Sequence, residues 1–382
     1  MEFELDEAHR LLRETVGSWA ARAIGPIAGE IDRRDEFPMQ LWPQMGDLGL
    51  LGVTVPEEHG GSGFDLLAGV LAIEQIGRFS ASVALSYGAH ANLCVNNLYV
   101  NGNEQQRRRY LPPLISGRAV GALALTEPDA GSDAIGIQTT ARRDGDDFLL
   151  TGSKLYITNG PIASTFVLYA KTEPERGSRG ITAFIVERDF PGFAVARSLE
   201  KLGHRGSPTA ELRLDNCRVP AQNVLGTLNN GVEVMMSGLD SERAFLAGEQ
   251  LGIAQACLDA SVAYAKERKQ FGQRIGDFQL VQAMLADMYT ELEAARWLTY
   301  RTAWLAWNAP KGTRFNKEAA AAILYAGEMA TRSALKAVQI YGGAGYMAEA
   351  PVARYLRDAK LLEIGAGTSE IRRLIIAREL LK

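Results

Sequence analysis

The sequence predicts an α+β fold in three successive parts: an N-terminal helical domain (residues 1–117), a middle β domain (residues 118–228) and a C-terminal four-helix bundle (residues 229–382). Apolar residues recur at helical spacing in the first and last parts. Short alternating or wholly apolar runs, bounded by glycine and proline, fill the middle part. Because helices and strands occupy separate stretches instead of alternating, a doubly wound α/β fold is not expected.

Each part follows from a local pattern. In the first part, apolar residues recur at helical spacing: Leu11, Leu12, Val16 and Trp19. In the middle part, residues 209–214 alternate between apolar and polar side chains, which is typical of a half-buried strand. In the last part, the spacing of a long helix is carried by Leu285, Met288, Leu292, Ala295 and Thr299. An alanine-rich stretch at 318–340 favours a further helix of the bundle.

Charge and composition exclude several classes of function. The 382 residues include 41 Lys and Arg against 45 Asp and Glu, which gives a formal net charge of −4. This balance lacks the basic footprint of an electrostatic nucleic-acid binder, so no nucleic-acid partner is expected. Three widely separated cysteines provide neither a disulfide framework nor a paired-cysteine zinc site, and the four histidines lack a metal-ligand spacing. No metal site is predicted.

The sequence carries no pattern typical of membrane insertion or of a nucleotide fingerprint. No apolar run approaches the roughly 18 residues of a membrane span, and the first residues are acidic where a signal or transit peptide needs bases. We therefore expect a cytoplasmic protein without a membrane partner. Neither G-x-G-x-x-G after a strand nor G-x-x-x-x-G-K-S/T is present, which excludes the nicotinamide-binding and phosphate-loop signatures.

Four short strings carry the strongest functional signal. In chain order they are LTEPDAGSD (125–133), YITNG (156–160), ERKQFG (267–272) and QIYGG (339–343). Their combination and order resemble the acyl-CoA dehydrogenase family, and the resemblance extends over the whole chain. It implies the same succession of helical, β and helical domains that the periodicity predicts.

Four further strings resemble the isovaleryl-CoA dehydrogenase-like members of that family: YGAH (87–90), NGN (101–103), LDSER (239–243) and IGAGTSE (364–370). The resemblance implies FAD as cofactor and the α,β-dehydrogenation of a short or branched-chain acyl-CoA to the 2-enoyl-CoA. A carboxylate takes the α-proton, the flavin takes a hydride from the β-carbon, and an electron-transfer flavoprotein receives the electrons. The resemblance also implies a homotetramer.

The catalytic base that the resemblance implies is Glu242. Many members place a glutamate two residues before the Thr-Ser pair near the C-terminus, but this chain has Ala366 there, which cannot accept a proton. The isovaleryl-type members place the base in the first helix of the bundle, where this chain has Glu242. Leu239, Glu242 and Leu246 share one helical face, so desolvation should raise the pKa of the carboxylate. Without the resemblance, Glu242 would be interpreted as an exposed helix carboxylate.

Two other acidic residues depart from the isovaleryl-type pattern. Glu249 lies two helical turns beyond Glu242, where those members usually carry a small residue, and it is an alternative base or a polar group of the acyl cavity. Glu233 stands where those members often have tyrosine. A charged group in the acyl pocket would suit a functionalised chain better than a plain branched one.

The resemblance assigns two sets of residues to FAD. The first set contacts the flavin or closes its site: Leu125, Thr126, Ser132, Tyr156, Thr158, Thr368 and Glu370. The second set holds the pyrophosphate and adenosine across a subunit interface: Arg268, Gln279, Gln339, Gly342 and Gly343. Tyr156 stands where the family more often has tryptophan. On their own residues, the first string is a capped turn and Arg268 is a solvated charge.

For the substrate, the resemblance gives Ala366 a backbone role, in which its N–H and a ribityl hydroxyl of the flavin hold the thioester carbonyl. Gly365 leaves room for a branched acyl group, and Leu246 is a candidate wall. Ser178 and Arg179 resemble a CoA-contacting segment or, on their own, an exposed hairpin tip. The other substrate contacts that the resemblance implies are Ser132, Asp240, Arg243 and Gly367.

Two alternative functions stay open on the same scaffold. An acyl-CoA oxidase, or a dehydrogenase of carrier-protein-bound thioesters, would share these motifs. Ala366 is also compatible with a flavoprotein that binds acyl-CoA without dehydrogenating it. A separate aromatic stripe, Trp297, Trp304 and Trp307, lies on one predicted helix and is expected to be part of the packing.

Overall fold

The protein is described here by a computed structural model. It describes residues 4–309 and 313–382, except for the side chain of Asp240, so that predicted substrate contact lies outside the described residues. The fold is α+β and follows the predicted order of helices, strands and helices.

The N-terminal part is helical. Its helices are α1 (Glu7–Ala23), α2 (Ala28–Arg34), α3 (Leu41–Asp47), α4 (Leu66–Gly77), α5 (Ala81–Gly88), α6 (Asn97–Asn101) and α7 (Glu104–Ile115). A π-helical segment, Ala89–Asn96, joins α5 to α6. Every residue of α4 except Gln75 is buried, so this helix forms the centre of the N-terminal part.

Aspartate caps fix where two of these helices begin. Asp6 accepts the backbone N–H of His9 at 2.9 Å, and Asp65 accepts the backbone N–H of Ala68 at 2.9 Å. Each cap satisfies a donor that the first helical turn leaves unpaired. The His9 ring also lies 2.9 Å from the Asp65 carboxylate, which ties the start of α1 to the start of α4.

The middle part is a β-sheet. Its strands are β1 (Gly121–Ala124), β2 (Thr140–Asp144), β3 (Asp147–Thr158), β4 (Thr165–Lys171), β5 (Ile181–Glu187), β6 (Phe193–Ser198), β7 (Thr209–Pro220) and β8 (Val224–Leu225). The strand order is β6-β7-β3-β2-β4-β5-β8, and β1 pairs with β4 in parallel. The pairing of β3 with β7 shifts register between Lys154 and Ile157, and Tyr156 within that shift has φ +61°.

The C-terminal part is a helical bundle. Its helices are α8 (Gly231–Glu267), α9 (Gln279–Asn308), α10 (Asn316–Tyr341), α11 (Pro351–Ala359) and α12 (Ser369–Leu380), and strands β9 (Lys269–Gln270) and β10 (Gln273–Arg274) form a hairpin after α8. Helices α8, α9 and α10 pack against one another, and α12 packs on α10. Among the described helices, none has the length and apolar content that crossing a membrane requires.

Helix α8 approaches α4 closely. A Cβ added at Gly252 of α8 would lie 2.4 Å from the carbonyl oxygen of Glu74, and one added at Gly77 of α4 would lie 2.9 Å from the carbonyl oxygen of Glu249. Only glycine permits two backbones to come so near. The contact fixes the middle of α8 against the N-terminal part, and this is the stretch that carries the candidate acids.

The tryptophan stripe differs from its prediction. Trp297, Trp304 and Trp307 all lie on α9, but they are 45%, 53% and 52% exposed, so the expectation that they pack within the chain is wrong. Leu280 and Tyr289 on the same helix are exposed as well. The helical period identified a shared face, but it carries no information about what covers that face. Helix α9 therefore presents an apolar surface outward.

The close approach of α8 to α4 predicts the effect of one methyl group. Gly252→Ala should lower the free energy of unfolding by about 1–3 kcal/mol, because the added carbon meets backbone atoms that cannot move aside cheaply. Gly29→Ala in α2 is the matched control, since its Cβ would meet nothing within 4 Å. That control should be neutral or stabilising by up to about 1 kcal/mol. Thermal unfolding followed by circular dichroism compares them, and equal midpoints would contradict the contact.

Candidate active site

Glu242 lies where three parts of the chain meet. It belongs to α8, and its charge is close enough to interact with Arg243 beside it, Arg372 of α12 and Tyr169 of β4. The side chain is 7% exposed, and its neighbour Leu246 on the same helical face is buried. The carboxylate is therefore enclosed, as the apolar stripe on this helix indicates.

Burial brings the pKa of the Glu242 carboxyl close to neutral pH. Loss of solvation raises its pKa to about 7, although the positive charges of Arg243 and Arg372 oppose the shift. No described side chain or backbone N–H donates a hydrogen bond to this carboxylate. A hydrogen bond to the charged form would favour that form and lower the pKa. Glu242 can therefore take up and release a proton near pH 7.

The segment between α11 and α12 supplies the C-terminal side of the site. Ala366 and Gly367 both adopt left-handed backbone conformations, with φ +56° and +92°. For a residue with a Cβ this conformation costs about 1–2 kcal/mol, and such strain is concentrated at functional sites. Thr368 then caps α12 by accepting the backbone N–H of Ile371 at 3.3 Å, while Glu370 is exposed. Gly365 and Ala366 are half-buried.

Arg372 is a residue that the sequence analysis missed. Its side chain is fully buried, and its terminal nitrogens donate to the carbonyl oxygens of Leu362 and Gly365, each at 2.5 Å. The available signal was spacing, because Arg372 follows the buried Ser369 by three residues and so shares its helical face. Its neighbour Arg373 is exposed.

A buried ion pair holds the string that contains Leu125 and Thr126, two of the predicted flavin contacts. The Lys154 ammonium donates to the Glu127 carboxylate at 2.7 Å and to the carbonyl oxygen of Leu125 at 3.0 Å, and both charged side chains are buried. The backbone N–H of Leu155 donates to the carbonyl oxygen of Thr126 at 2.8 Å. The predicted flavin contacts Leu125 and Thr126 are therefore fixed alongside β3.

The charges of this pair are stabilised at neutral pH. Burial lowers the pKa of Lys154 to about 8, although Glu127 opposes the change. Burial also acts to raise the pKa of Glu127, but Lys154 and hydrogen bonds from Thr139 and Gln138 outweigh it and hold that pKa below its usual value. The sequence signal for this pair was the two-residue alternation of side chains along a strand. It places Lys154 on the same face of β3 as the buried Leu150.

The string that contains Tyr156 and Thr158, which are also predicted flavin contacts, exposes an aromatic ring. Tyr156 is 66% exposed, and the half-buried Thr158 follows two residues later. Asn159 fixes this end of β3, because its side-chain amide donates to the carbonyl oxygen of Ser86 at 2.9 Å. An exposed ring on a fixed backbone can cover one face of a planar cofactor.

The second set of predicted FAD residues lies at the far end of the bundle. Arg268 follows α8, Gln279 begins α9, and Gln339, Gly342 and Gly343 stand where α10 ends. All five residues are exposed. The rings of Tyr264 and Tyr341 stack with centroids 4.1 Å apart, which joins the ends of α8 and α10. The fold thus gathers this set on one open surface.

The two FAD sets are far apart within one chain. Arg268 follows Glu242 by 26 positions (268 minus 242) along the line of α8, which corresponds to about 39 Å at a rise of roughly 1.5 Å per residue. That span exceeds the length of one FAD molecule. The second set can therefore contact a cofactor at the Glu242 site only if it belongs to another copy of the chain.

The predicted CoA segment lies at the start of α8. Ser178 and Arg179 belong to the 3₁₀ segment Pro174–Gly180, which packs against α8. Asn229, just before the helix, donates a side-chain hydrogen bond to Glu173 at the edge of this segment. Ser178 is half-buried and Arg179 is exposed. The segment is therefore an anchored surface loop next to the helix that carries Glu242.

Ser132 and Glu233 are both exposed. Ser132 lies in the connection between β1 and β2, after the buried ion pair. Glu233 lies in the first turn of α8, where it accepts a hydrogen bond from the side chain of Asn230. A carboxylate is favourable at a helix N-terminus, so Glu233 has a local structural role.

Glu249 has a buried partner that the sequence analysis did not identify. Its carboxylate lies 2.6 Å from Nε2 of His204, and both side chains are buried. Asp358 of α11 accepts the backbone N–H of His204 at 2.6 Å. Burial acts to lower the pKa of His204, but Glu249 and Asp358 outweigh it and hold that pKa above its usual value. Glu249 is thus engaged by His204, whereas Glu242 accepts no described hydrogen bond.

Three family models match the chain in succession. They are the N-terminal domain of acyl-CoA dehydrogenase at residues 6–118, the middle domain at residues 122–217 and the C-terminal domain at residues 229–381. This chain belongs to the acyl-CoA dehydrogenase family. Acyl-CoA dehydrogenases are flavoproteins and oxidoreductases that act on a CH–CH group, so the enzyme class expected from the motifs is confirmed.

Relatives and solved structures agree with this membership. The mitochondrial isovaleryl-CoA dehydrogenase of Solanum tuberosum is 52% identical over 99% of this chain and 91% of its own length. Butyryl-CoA dehydrogenase from Megasphaera elsdenii has a TM-score of 0.97 at 38% identity, with full coverage of both chains. A chain from the structure titled electron transferring flavoprotein of Acidaminococcus fermentans has a TM-score of 0.97 at 40% identity, again with full coverage of both.

The buried ion pair beneath the flavin string predicts a large effect of removing one partner. Lys154→Met should destabilise the protein by about 3–5 kcal/mol, because it leaves the Glu127 charge buried without compensation. It should also reduce the flavin that stays bound after purification, since Leu125 loses its anchor. The control is Lys360→Met, which removes an exposed pairing with Glu363 at 2.7 Å and should change stability by less than about 1 kcal/mol. Thermal unfolding and flavin absorbance measure both effects, and a Lys154 variant that matched the control would refute the anchoring role.

Proposed function

We propose that this acyl-CoA dehydrogenase uses FAD to convert a short or branched-chain acyl-CoA into the 2-enoyl-CoA, with Glu242 as the base that removes the α-proton. The observation that carries the proposal is the state of Glu242, a buried carboxylate with a pKa of about 7. A general base is most effective when its pKa lies near the working pH. The resemblance to isovaleryl-type members selects the same residue.

The reaction divides between the base and groups that stabilise charge. When bound, FAD supplies the acceptor for the hydride that leaves the β-carbon. Glu242 takes the α-proton and holds it. The charge that develops on the thioester oxygen needs a preorganised donor, and the backbone N–H of Ala366 would provide it. This role needs no particular side chain, so the alanine at this position is compatible with dehydrogenation.

The structure favours Glu242 over Glu249 as base. Glu249 is hydrogen-bonded to His204. If its carboxylate served as the base for the substrate, that buried contact would be broken. It also lies about 10 Å further along α8, at seven residues of roughly 1.5 Å each. Glu242 is flanked by Arg243, which the resemblance assigns to the substrate. We therefore assign Glu249 to the structure of the domain junction.

The residues present fit FAD. Leu125 and Thr126, fixed by Lys154, would contact the edge of the flavin ring, Tyr156 would cover one face, and Thr158 would lie near the nitrogen that is reduced. The chemistry of these groups matches a planar, hydrogen-bonding ring system. Thr368 and Glu370 at the start of α12 would close the site. The open glycines at the end of α10 leave room for the pyrophosphate of a second copy's cofactor.

We include a homotetramer in the proposal. The separation of the two FAD sets along α8 supports at least a dimer, in which each chain completes the cofactor site of the other. The exposed tryptophans of α9 support a further contact, since contiguous apolar surface of this kind marks interaction sites. The closed symmetry that most oligomers adopt is compatible with both contacts in one assembly.

Packing near the site and the relatives support the proposed substrate and electron acceptor. Gly365 and Ala366 leave space beside the site, and the buried Leu246 closes in on Gly88 of α5, where an added Cβ would lie 3.1 Å from it. This close packing of Leu246 against α5 supports a short or branched acyl group. The similarity to isovaleryl-CoA dehydrogenase points the same way. We propose an electron-transfer flavoprotein as the electron acceptor. The similarity to a chain from the structure named for the electron transferring flavoprotein of Acidaminococcus fermentans supports it.

Replacement of the proposed base tests the assignment. Glu242→Gln should retain bound flavin but slow flavin reduction by about 10²–10⁴-fold, because the amide cannot take the α-proton. Anaerobic mixing with isovaleryl-CoA and butyryl-CoA, followed by loss of flavin absorbance, measures the rate. Glu249→Gln is the comparison and should reduce flavin at close to the rate of the unmodified protein.

Two outcomes would count against the proposal. If the Glu242 variant kept a near-normal rate while the Glu249 variant lost it, the base would be Glu249. If the unmodified yellow protein kept its colour with straight, branched, cyclic and carboxylated acyl-CoAs alike, the dehydrogenase function itself would be wrong. Rapid peroxide formation in air would instead favour an oxidase.

The pKa of Glu242 predicts a pH profile. The base must be ionised to accept a proton, so the rate of flavin reduction should rise with pH through about 7 and level off above it. Stopped-flow reduction between pH 5.5 and pH 9 measures the profile. A rate that was already constant from pH 5.5 upward would show that the base titrates near the ordinary glutamate value.

A further inference from the structure

A buried arginine of α12 has no carboxylate partner within hydrogen-bond reach in the described chain. Arg372 is 0% exposed, and its terminal nitrogens donate only to the carbonyl oxygens of Leu362 and Gly365. The Nε–H has no hydrogen-bond partner among the described residues. Burying a guanidinium this way is costly, so the contact calls for an explanation beyond stability.

The charge on Arg372 persists in this environment. Burial and the neighbouring Arg243 together lower its pKa to about 10, although Glu242, Glu328 and Glu363 act in the opposite direction. At neutral pH the side chain is therefore still protonated. Hydrogen bonds from an ionised donor are roughly twice as strong as neutral ones. Both carbonyls are thus held by strong, short contacts.

One of these carbonyls belongs to the peptide unit that would bind the substrate. The oxygen of Gly365 and the N–H of Ala366 are parts of the same planar amide, and in a trans peptide they point in opposite directions. No described peptide bond is cis. Fixing the oxygen therefore fixes the direction of the N–H. A charged donor on the oxygen also polarises the amide and makes its N–H a stronger donor.

The same contact accounts for the strained backbone. Ala366 is held at φ +56°, and strain of this kind persists only where the surroundings determine the conformation. Arg372 donates to the carbonyl of Gly365, immediately before the strained residue, and to that of Leu362 earlier in the same segment. It also links them to α12, since its own backbone belongs to that helix.

We propose that Arg372 is a positioning residue for the thioester: by holding the Gly365 carbonyl, it orients and polarises the Ala366 N–H that binds the thioester oxygen. The inference rests on the proposed function, because it presupposes an acyl thioester in the site. Arg372 does not touch the reacting atoms. It acts through the peptide between Gly365 and Ala366, and the loss of its charge also affects the base.

The groups that face Glu242 define the second effect. Among the described side chains, the titratable groups that interact with its charge are Arg243 on α8, Arg372 on α12 and Tyr169 on β4. Removing the positive charge of Arg372 should raise the pKa of Glu242 and move the pH profile of flavin reduction upward. A lysine at the same position keeps the charge but replaces the planar two-carbonyl fork with a single point donor.

Two variants and a neighbouring control separate these effects. Arg372→Gln should slow flavin reduction about 10- to 100-fold, somewhat less than the loss of a whole oxyanion donor, and shift the profile to higher pH. Arg372→Lys should slow reduction to a smaller extent without shifting the profile. Arg373→Gln removes an exposed arginine that pairs with Glu328 at 2.6 Å, and it should behave like the unmodified protein.

A spectroscopic readout tests the mechanism without turnover. The oxidised holoenzyme is mixed with 3-methylcrotonyl-CoA carrying ¹³C at the thioester carbon, and the carbonyl stretch is measured by difference infrared spectroscopy. In the unmodified protein and the Arg373 control, hydrogen bonding should move the stretch to lower frequency than in free solution. Both Arg372 variants should lose part of that displacement, and a variant affected only in its general stability would not.

The outcomes distinguish this inference from the function on which it rests. If the unmodified protein reduces flavin and the Arg372 variants match it in rate, pH profile and carbonyl stretch, the positioning role is wrong while the dehydrogenase function stands. If the unmodified protein does not react with any acyl-CoA, the function fails first. Should Arg372→Gln not fold with flavin, Arg372→Lys gives the test, because an unchanged carbonyl stretch there overturns the proposal.

Discussion

The free-energy cost of burying one carboxylate sets the conditions for the rest of the site. The pKa of Glu242 is about 7 because burial raises it and no described group donates a direct hydrogen bond to the carboxylate. The positive charges of Arg243 and Arg372 oppose the shift. A bidentate arginine would have stabilised the ionised form and lowered the pKa by roughly 1–3 units, which would weaken the base. Arg372 avoids this because its terminal nitrogens are committed to backbone carbonyls. Positive charge is thus present near Glu242, the proposed base, without a direct hydrogen bond that would lower its pKa further.

A single helix organises the functional surfaces. Helix α8 begins beside the predicted CoA segment, carries Glu242 in its buried stretch and ends next to Arg268. Its close contact with α4 through glycine fixes the middle of the helix, so these surfaces keep a constant separation. Because the separation is greater than a cofactor can bridge, one chain alone cannot bring both predicted sets of FAD residues to one cofactor. The proposed assembly would give the exposed apolar face of α9 a physical reason to be apolar.

Periodicity and short strings predicted much of this from the sequence, and long-range pairing accounts for what they missed. The order of helices and strands followed from local patterns. The strings pointed to Glu242 and to the segment assigned to the flavin, and these two roles stay predictions. Lys154 pairs with Glu127, 27 positions earlier, only because the β1–β2 connection runs alongside β3, which no local pattern encodes. The period on α9 likewise identified a face but not its exposure. Helical spacing groups Arg372 with Ser369 and separates it from Arg373, but only the fold determines that this face is buried.

The contact between His204 and Glu249 joins the β6–β7 connection, α8 and α11 at one fully enclosed point. Either residue alone would be an unpaired polar group in the interior, with a penalty of several kcal/mol. A single exchange at this junction is therefore costly, and lineages that carry a small residue in place of the acid should also have replaced the imidazole. Paired variation at these two positions would mark a distinct branch of the family, whose members share an interior rearrangement rather than a change in the reacting groups.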